Sequence, residues 1–179
     1  MKFNLKRYIV VALMAALMCV LSPFSISIPI SPVPISLGSF CVYLMVYILG
    51  LDATASVVIY LLIGAVGVPV FTGFSGGIGK ILGPTGGYML GYIFLSLISG
   101  FVLTIYYHKK IICLVGMVLG TIVLYSFGSL WLAKVSHMTF AQALFAGVIP
   151  FIPGDVVKII LANYLGRSIR DRLKAAKIL

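Results

Sequence analysis

Long apolar stretches, punctuated by glycine and proline rather than by regular polar faces, run along most of the chain. Six of them predict helices: residues 8–21, 36–50, 53–68, 87–107, 111–132 and, after the breakers Pro150 and Pro153, 155–165 with a basic extension. A helix rises 1.5 Å per residue, so crossing the hydrocarbon core takes about 20 residues. Several of the stretches are shorter. Neighbouring irregular segments must then occupy part of the membrane depth, which backbone tolerates only when it is buried in protein or lines a cavity. The pattern alone therefore points to a pocket.

Composition strengthens the membrane reading. The 179 residues are 62% hydrophobic and 9% charged, whereas a soluble domain carries about 25% charge. The length suits one domain spanning residues 1–179, without room for a soluble catalytic domain. A net charge of +10 invites a nucleic-acid reading, but the placement of the charge excludes it. With the N-terminus cytoplasmic, the inner side receives Lys2, Lys6, Arg7, Lys109, Lys110, Arg167, Arg170, Arg172, Lys174 and Lys177, and the outer side only Lys80 and Lys134. That asymmetry follows the positive-inside rule. The expected architecture is an all-α membrane protein of six transmembrane helices with both termini cytoplasmic. The basic N-terminus and the apolar run after it also resemble a signal peptide. With no small-residue cleavage site and five further apolar segments, the run is read as the first span. Tyr106, Tyr107 and Trp131 suit interfacial anchors.

In this topology the long connections, 22–34, 69–86 and 133–154, all lie outside, and the inner turns at 50–52 and 108–110 are tight. Asp52 is placed to cap the third span. A ligand site open to the outside is expected. Pro29, Pro32 and Pro34 exclude a helix from the first loop, which reads as a stiff apolar flap or as a loop lying on the bundle. The glycine-rich second loop fails as a nucleotide site: Phe74 and Ile81 break a P-loop, and Leu82 breaks a dinucleotide fingerprint. Its glycines suit close backbone approach, or main-chain N–H groups offered to a small ligand at the next helix start.

The most informative side chains are Asp155 and Lys158. Three residues apart, they share one helix face near an outer span end. A charge within the bilayer costs roughly 2.5–3.5 kcal/mol even on the lenient scale, so such residues usually face a polar interior. A ligand site and a mutual ion pair are the two readings. His108 and His137 are isolated, Cys19, Cys41 and Cys113 lack metal-ligand spacing, and no nucleophile–base–acid set exists, so neither an enzyme nor a metal or cofactor is expected. Asn163 suits a hydrogen bond between spans. Ala12 and Ala16, four apart on the first span, allow another helix to approach closely.

The stretches Pro32-Val33-Pro34-Ile35-Ser36-Leu37, the run 64–88 with Gly83-Pro84-Thr85-Gly86-Gly87-Tyr88, and Pro150-Phe151-Ile152-Pro153-Gly154-Asp155, the last running on to Lys158, occur in the order found in the BioY family. The chain resembles these biotin-binding S-components of energy-coupling-factor (ECF) transporters over nearly its whole length. It departs at Gly38, where much of the family has Gln. The resemblance implies a six-helix S-component fold in a prokaryotic plasma membrane, with a biotin pocket near the outer face. There Lys158 would favour the valerate carboxylate and Asp155 accept ureido N–H groups, with Tyr88 and the backbone of Gly83, Thr85, Gly86 and Gly87 lining the pocket. It also implies a membrane T-component and two cytoplasmic ATPases as partners, with Ala12 and Ala16 facing the T-component. Another small anionic vitamin, or a purely structural membrane role, are the competing expectations.

Overall fold

The computed structural model of the protein describes residues 5–27, 29 and 31–179. Lys2 of the inner-side charges, and Ile28 and Ile30 of the first loop, lie outside the described residues. Each of the six apolar stretches falls on a helix: α1 (Leu5–Leu21), α2 (Gly38–Leu49), α3 (Ala53–Ala65), α5 (Gly86–Tyr106), α6 (Lys110–Val135) and α8 (Ile152–Ala175). Two shorter helices, α4 (Ile78–Leu82) and α7 (Phe140–Gly147), occupy connections read from sequence as irregular. Helix α7 had a readable start: Thr139 and Gln142 form a reciprocal capping box. The described residues of the first loop are not helical, and its ends pair as a short antiparallel ribbon, β1 (Ser25–Ile26) with β2 (Ile35–Ser36).

Side-chain contacts give the direction of each long helix. One end of the bundle gathers the Arg7–Asp52 ion pair, Lys6 Nζ donating to the Lys177 carbonyl (3.2 Å), Tyr107 OH donating to Asp171 (3.0 Å) and Arg170 donating to the Tyr47 carbonyl (3.3 Å). The other end gathers Ser22 with Tyr60 (2.7 Å), Ser39 with Asp155 (3.1 Å) and Trp131 Nε1 donating to the Gly83 carbonyl (3.0 Å). Helices α1, α3 and α6 therefore run one way, and α2, α5 and α8 the other. Among the described residues, three helical stretches are long and apolar enough to cross a membrane: Gly38–Ala65, Gly86–Tyr106 and Lys110–Val135. Helices α7 and α8, bent by 52°, make a fourth if taken together. The first of these stretches holds the reversal from α2 to α3. It occurs at Gly50, whose φ of 64° favours glycine and which a Cβ would bring to 2.6 Å from Thr104 Oγ1. Asp52 occupies the N-cap position of α3 but makes no capping bond. Contrary to expectation its carboxylate pairs with Arg7 of α1.

Helix α2 is apolar all round and is the buried centre of the bundle, with Tyr43, Met45, Tyr47 and Ile48 almost wholly enclosed. Helices α5 and α6 form a close hairpin. Ser99 donates to the Gly116 carbonyl (3.1 Å), and a Cβ at Gly116 would come within 2.7 Å of Val102. Small residues bring helices together where lipid supplies no hydrophobic drive. Outward, Leu62, Phe101, Ile122 and Ile160 are exposed, as a lipid-facing surface requires.

Candidate ligand site

Asp155 sits in the first turn of α8, where the positive end of the helix dipole favours a carboxylate. It is 5% exposed. Oδ1 accepts from Ser39 Oγ (3.1 Å) and Lys158 Nζ (3.1 Å), and Oδ2 accepts from the hydroxyls of Tyr125 (2.7 Å) and, more weakly, Tyr43 (3.4 Å). Lys158, one turn later, also donates to the Ser36 carbonyl and to Ser39 Oγ, both at 2.9 Å. Its ammonium thus spends all three donors on protein. Tyr43 is held in turn by Thr121 (2.9 Å). Strand β2 and helices α2, α6 and α8 converge on one charge pair, far from one another in sequence.

Three hollows meet at this pair. The central one, about 40 Å³, lies beneath Val33 and Pro34 and is bordered by Ser36, Ser39, Tyr88, Tyr92, Asp155 and Lys158 among others. At about 10–15 Å³ per molecule it has room for a few waters and not for a bicyclic ligand. On the flap side, a hollow of about 340 Å³ is lined by Phe24, Ser25, Ile26, Ile35, Ser36, Leu37 and Lys158. Between α6, α7 and α8, an apolar groove of about 390 Å³ has Thr121, Tyr125 and Asp155 in its wall. The ribbon is tied to the second loop: Gly73 N donates to the Pro23 carbonyl (3.0 Å), and the rings of Phe24 and Phe74 meet edge to face at 5.4 Å.

Of the residues singled out in the sequence, Tyr88 is brought to the central hollow beside Asp155 and Lys158. Its hydroxyl lies 3.3 Å from Ser129. Gly83, Thr85, Gly86 and Gly87 border none of the three hollows. The Gly83 carbonyl takes the Trp131 indole, Thr85 Oγ1 reaches Met89 Sδ at 4.0 Å, and Gly86 and Gly87 allow close approach to Ile81 and Trp131. They shape the start of α5, which carries Tyr88. Ala12 and Ala16 lie exposed on α1, away from the site. Asn163 bonds Arg167 within α8 (2.7 Å) rather than another helix. Gly38 is buried, and a Cβ there would lie 3.0 Å from both Ser22 Oγ and Tyr92 Oη. Ser39, Tyr43, Thr121 and Tyr125 were missed. Their signal was periodic: hydroxyls at 39 and 43 and at 121 and 125, each pair one turn apart on an apolar helix.

Fold and site together define a multi-pass helical membrane protein with a recessed charge pair beneath a loop at one end. Residues 1–175 match the BioY family, to which the chain belongs. It is 41% identical over 154 residues to the probable biotin transporter BioY of Pyrococcus horikoshii, covering 86% of this chain and 89% of that protein. It is 33% identical over 169 residues to the biotin transporter BioY2 of Lactococcus lactis, covering 93% and 92%. Among solved structures, the S-component for biotin from an ECF-type ABC transporter superposes with a TM-score of 0.88 at 31% identity, covering 96% of this chain and 95% of that one.

Proposed function

We propose that this chain captures biotin at the outer face of the plasma membrane and delivers it for uptake as the substrate-binding subunit of an ECF-type transporter. It is a transport subunit and not an enzyme. The observation that carries this reading is the Asp155–Lys158 pair, recessed where three hollows meet, with Val33, Pro34 and the β1–β2 ribbon beside it. The relatives named for biotin transport supply the ligand. Biotin offers a carboxylate and a neutral urea, which match an ammonium and a carboxylate. Displacing the ribbon joins the central and flap-side hollows along Lys158 and Ser36. The ligand carboxylate then replaces the Ser36 carbonyl on Lys158, and a ureido N–H replaces the long Tyr43 bond on Asp155.

Six membrane crossings with both termini cytoplasmic are supported by the alternating helix directions and by the basic residues gathered at one end. A membrane T-component and two cytoplasmic ATPases would drive release. Equilibrium binding of labelled biotin to the purified protein tests the site. Lys158→Ala removes a charge-assisted hydrogen bond and is expected to weaken binding roughly 10- to 150-fold. An unchanged affinity would move the site elsewhere.

A second reading has its own support. Every donor of Lys158 and both oxygens of Asp155 are already satisfied by protein, as a packing ion pair would be. It predicts that biotin is ignored by the isolated chain.

Ala12 and Ala16 face outward on α1 and leave a shallow strip where a T-component helix would pack. Replacing both with leucine is expected to cut biotin uptake by cells about 5- to 150-fold, a loss of packing worth some 1–3 kcal/mol. Binding by the purified variant should match wild type. Undiminished uptake would place the partner on another face.

A further inference from the structure

The end of the bundle opposite the ligand site carries most of the charge and holds a hollow of its own. It measures about 150 Å³ and is lined by Arg7, Ile48, Leu49, Arg170, Lys174 and Leu179. Three of these six residues are cations. Arg7 is paired with Asp52, but among the described residues neither Arg170 nor Lys174 has a carboxylate within ion-pair distance. Arg170 spends one N–H on the Tyr47 carbonyl at a long 3.3 Å, and its buried Nε has no partner. The Lys174 ammonium stands 4.9 Å from the Tyr107 ring, and the guanidinium groups of Arg170 and Arg167 lie 4.3 and 5.0 Å from the same ring. Arg167 also has a buried, unpartnered NH2 group. Asp171 accepts from the Tyr107 hydroxyl, and its charge offsets part of this crowd.

Three cations around one ring repel one another, and the ring quadrupole offsets only part of that repulsion. With four cations gathered here (Arg7, Arg167, Arg170 and Lys174) against two acidic side chains among the described residues (Asp52 and Asp171), the missing component is an anion that presents several oxygens at once. Phosphate fits, since guanidinium groups recognise it through paired N–H bonds. A lipid source is favoured over a free ion by position. The hollow has apolar walls in Ile48 and Leu49, and α1 beside it turns Leu5, Ile9 and Leu13 outward. We propose that Arg170 and Lys174, with Arg7, form a site for the phosphodiester headgroup of an anionic phospholipid at the basic end of the bundle. The site is independent of the ligand read above.

Native mass spectrometry of the full chain, released from neutral detergent containing equal phosphatidylglycerol and phosphatidylcholine, tests it. Wild type should retain phosphatidylglycerol about 30-fold in preference, the gain expected of two well-placed cations. Arg170→Gln/Lys174→Gln should lose that preference. Lys174→Gln alone changes an exposed side chain and should lose about fivefold, which guards against misfolding of the double variant. Lys109→Gln/Lys110→Gln removes equal charge from the same end outside the hollow and should keep the preference. Equal retention of the two lipids by wild type would overturn the site, as would equal losses in the Lys109/Lys110 control. Displacement of phosphatidylglycerol by millimolar inorganic phosphate at matched ionic strength would overturn the lipid source. Should Arg170→Gln/Lys174→Gln keep its lipid preference yet fail to assemble with a membrane partner, the hollow belongs to a protein carboxylate and the proposal is wrong.

Discussion

Replacing Asp155 with alanine is expected to lower the stability of the bundle by about 3–5 kcal/mol, the cost of leaving a buried charge without its partner. The Lys158 side chain is 14% exposed and that of Asp155 7%, so water can take over only part of the lost interaction. Lys158 would keep only the Ser36 carbonyl and Ser39 Oγ, and the Tyr125 hydroxyl would lose its acceptor. Tyr43 would still have Thr121. The companion variant Asp155→Ala/Lys158→Met removes both charges and fills part of the space with an apolar chain. It should regain most of the stability, because exchanging a buried ion pair for apolar groups is often neutral. Yet it should bind no biotin. Unfolding of the detergent-solubilised variants, alongside labelled-biotin binding, separates stability from recognition. If the double variant were as unstable as the single one, the two charges would not be coupled. If it bound biotin as wild type does, the pair would have no part in recognition.

That separation matters because the pair carries two meanings in the sequence that only geometry distinguishes. Residues 155 and 158 had to share a helix face whatever the fold, so their proximity was legible. Their environment was not. Ser39 lies 116 residues from Asp155 and Tyr125 lies 30 away, and nothing local says that three helices meet there. The same limit explains the second loop. Glycines at 83, 86 and 87 signalled close backbone approach, but to what could not be read: it is Ile81 and Trp131, not the hollow.

The long helices were legible because lipid-facing helices must be apolar along their length, and apolar runs survive any tertiary arrangement. Most starts and stops shifted by only a few residues, while α8 continues through the basic extension to Ala175, with Pro153 opening it as its fixed φ allows. Helix α7 was overlooked for a different reason. It is eight residues long, and its apolar run looks like loop material unless the Thr139–Gln142 signature is weighed first. Asp52 was assigned to its own helix because capping is local, whereas its actual partner, Arg7, arrives from α1.

Gly86→Ala is expected to be the most damaging of the small substitutions, at about 3 kcal/mol or more, the upper range for overpacking. A Cβ at this position would overlap the Ile81 carbonyl oxygen and lie 2.5 Å from its carbon. Both obstacles are backbone, so no side-chain rotation relieves them, and the junction between α4 and α5 must shift. The first turn of α5 carries Tyr88 into the central hollow, so biotin binding should fall together with stability. Gly154→Ala makes the contrast. Gly154 also belongs to a recognisable motif, next to Asp155, yet a Cβ there meets nothing within 4 Å. In a helix that exchange should gain up to about 0.5–1 kcal/mol through reduced backbone entropy, with biotin affinity unchanged. Thermal unfolding and labelled-biotin binding of the two variants give the comparison. A benign Gly86→Ala would mean that the α4–α5 junction yields and that this glycine does not fix Tyr88. A Gly154→Ala that folds well but loses biotin would mean that the ligand presses on the backbone at the start of α8, extending the site from the Asp155 and Lys158 side chains to the turn that bears them.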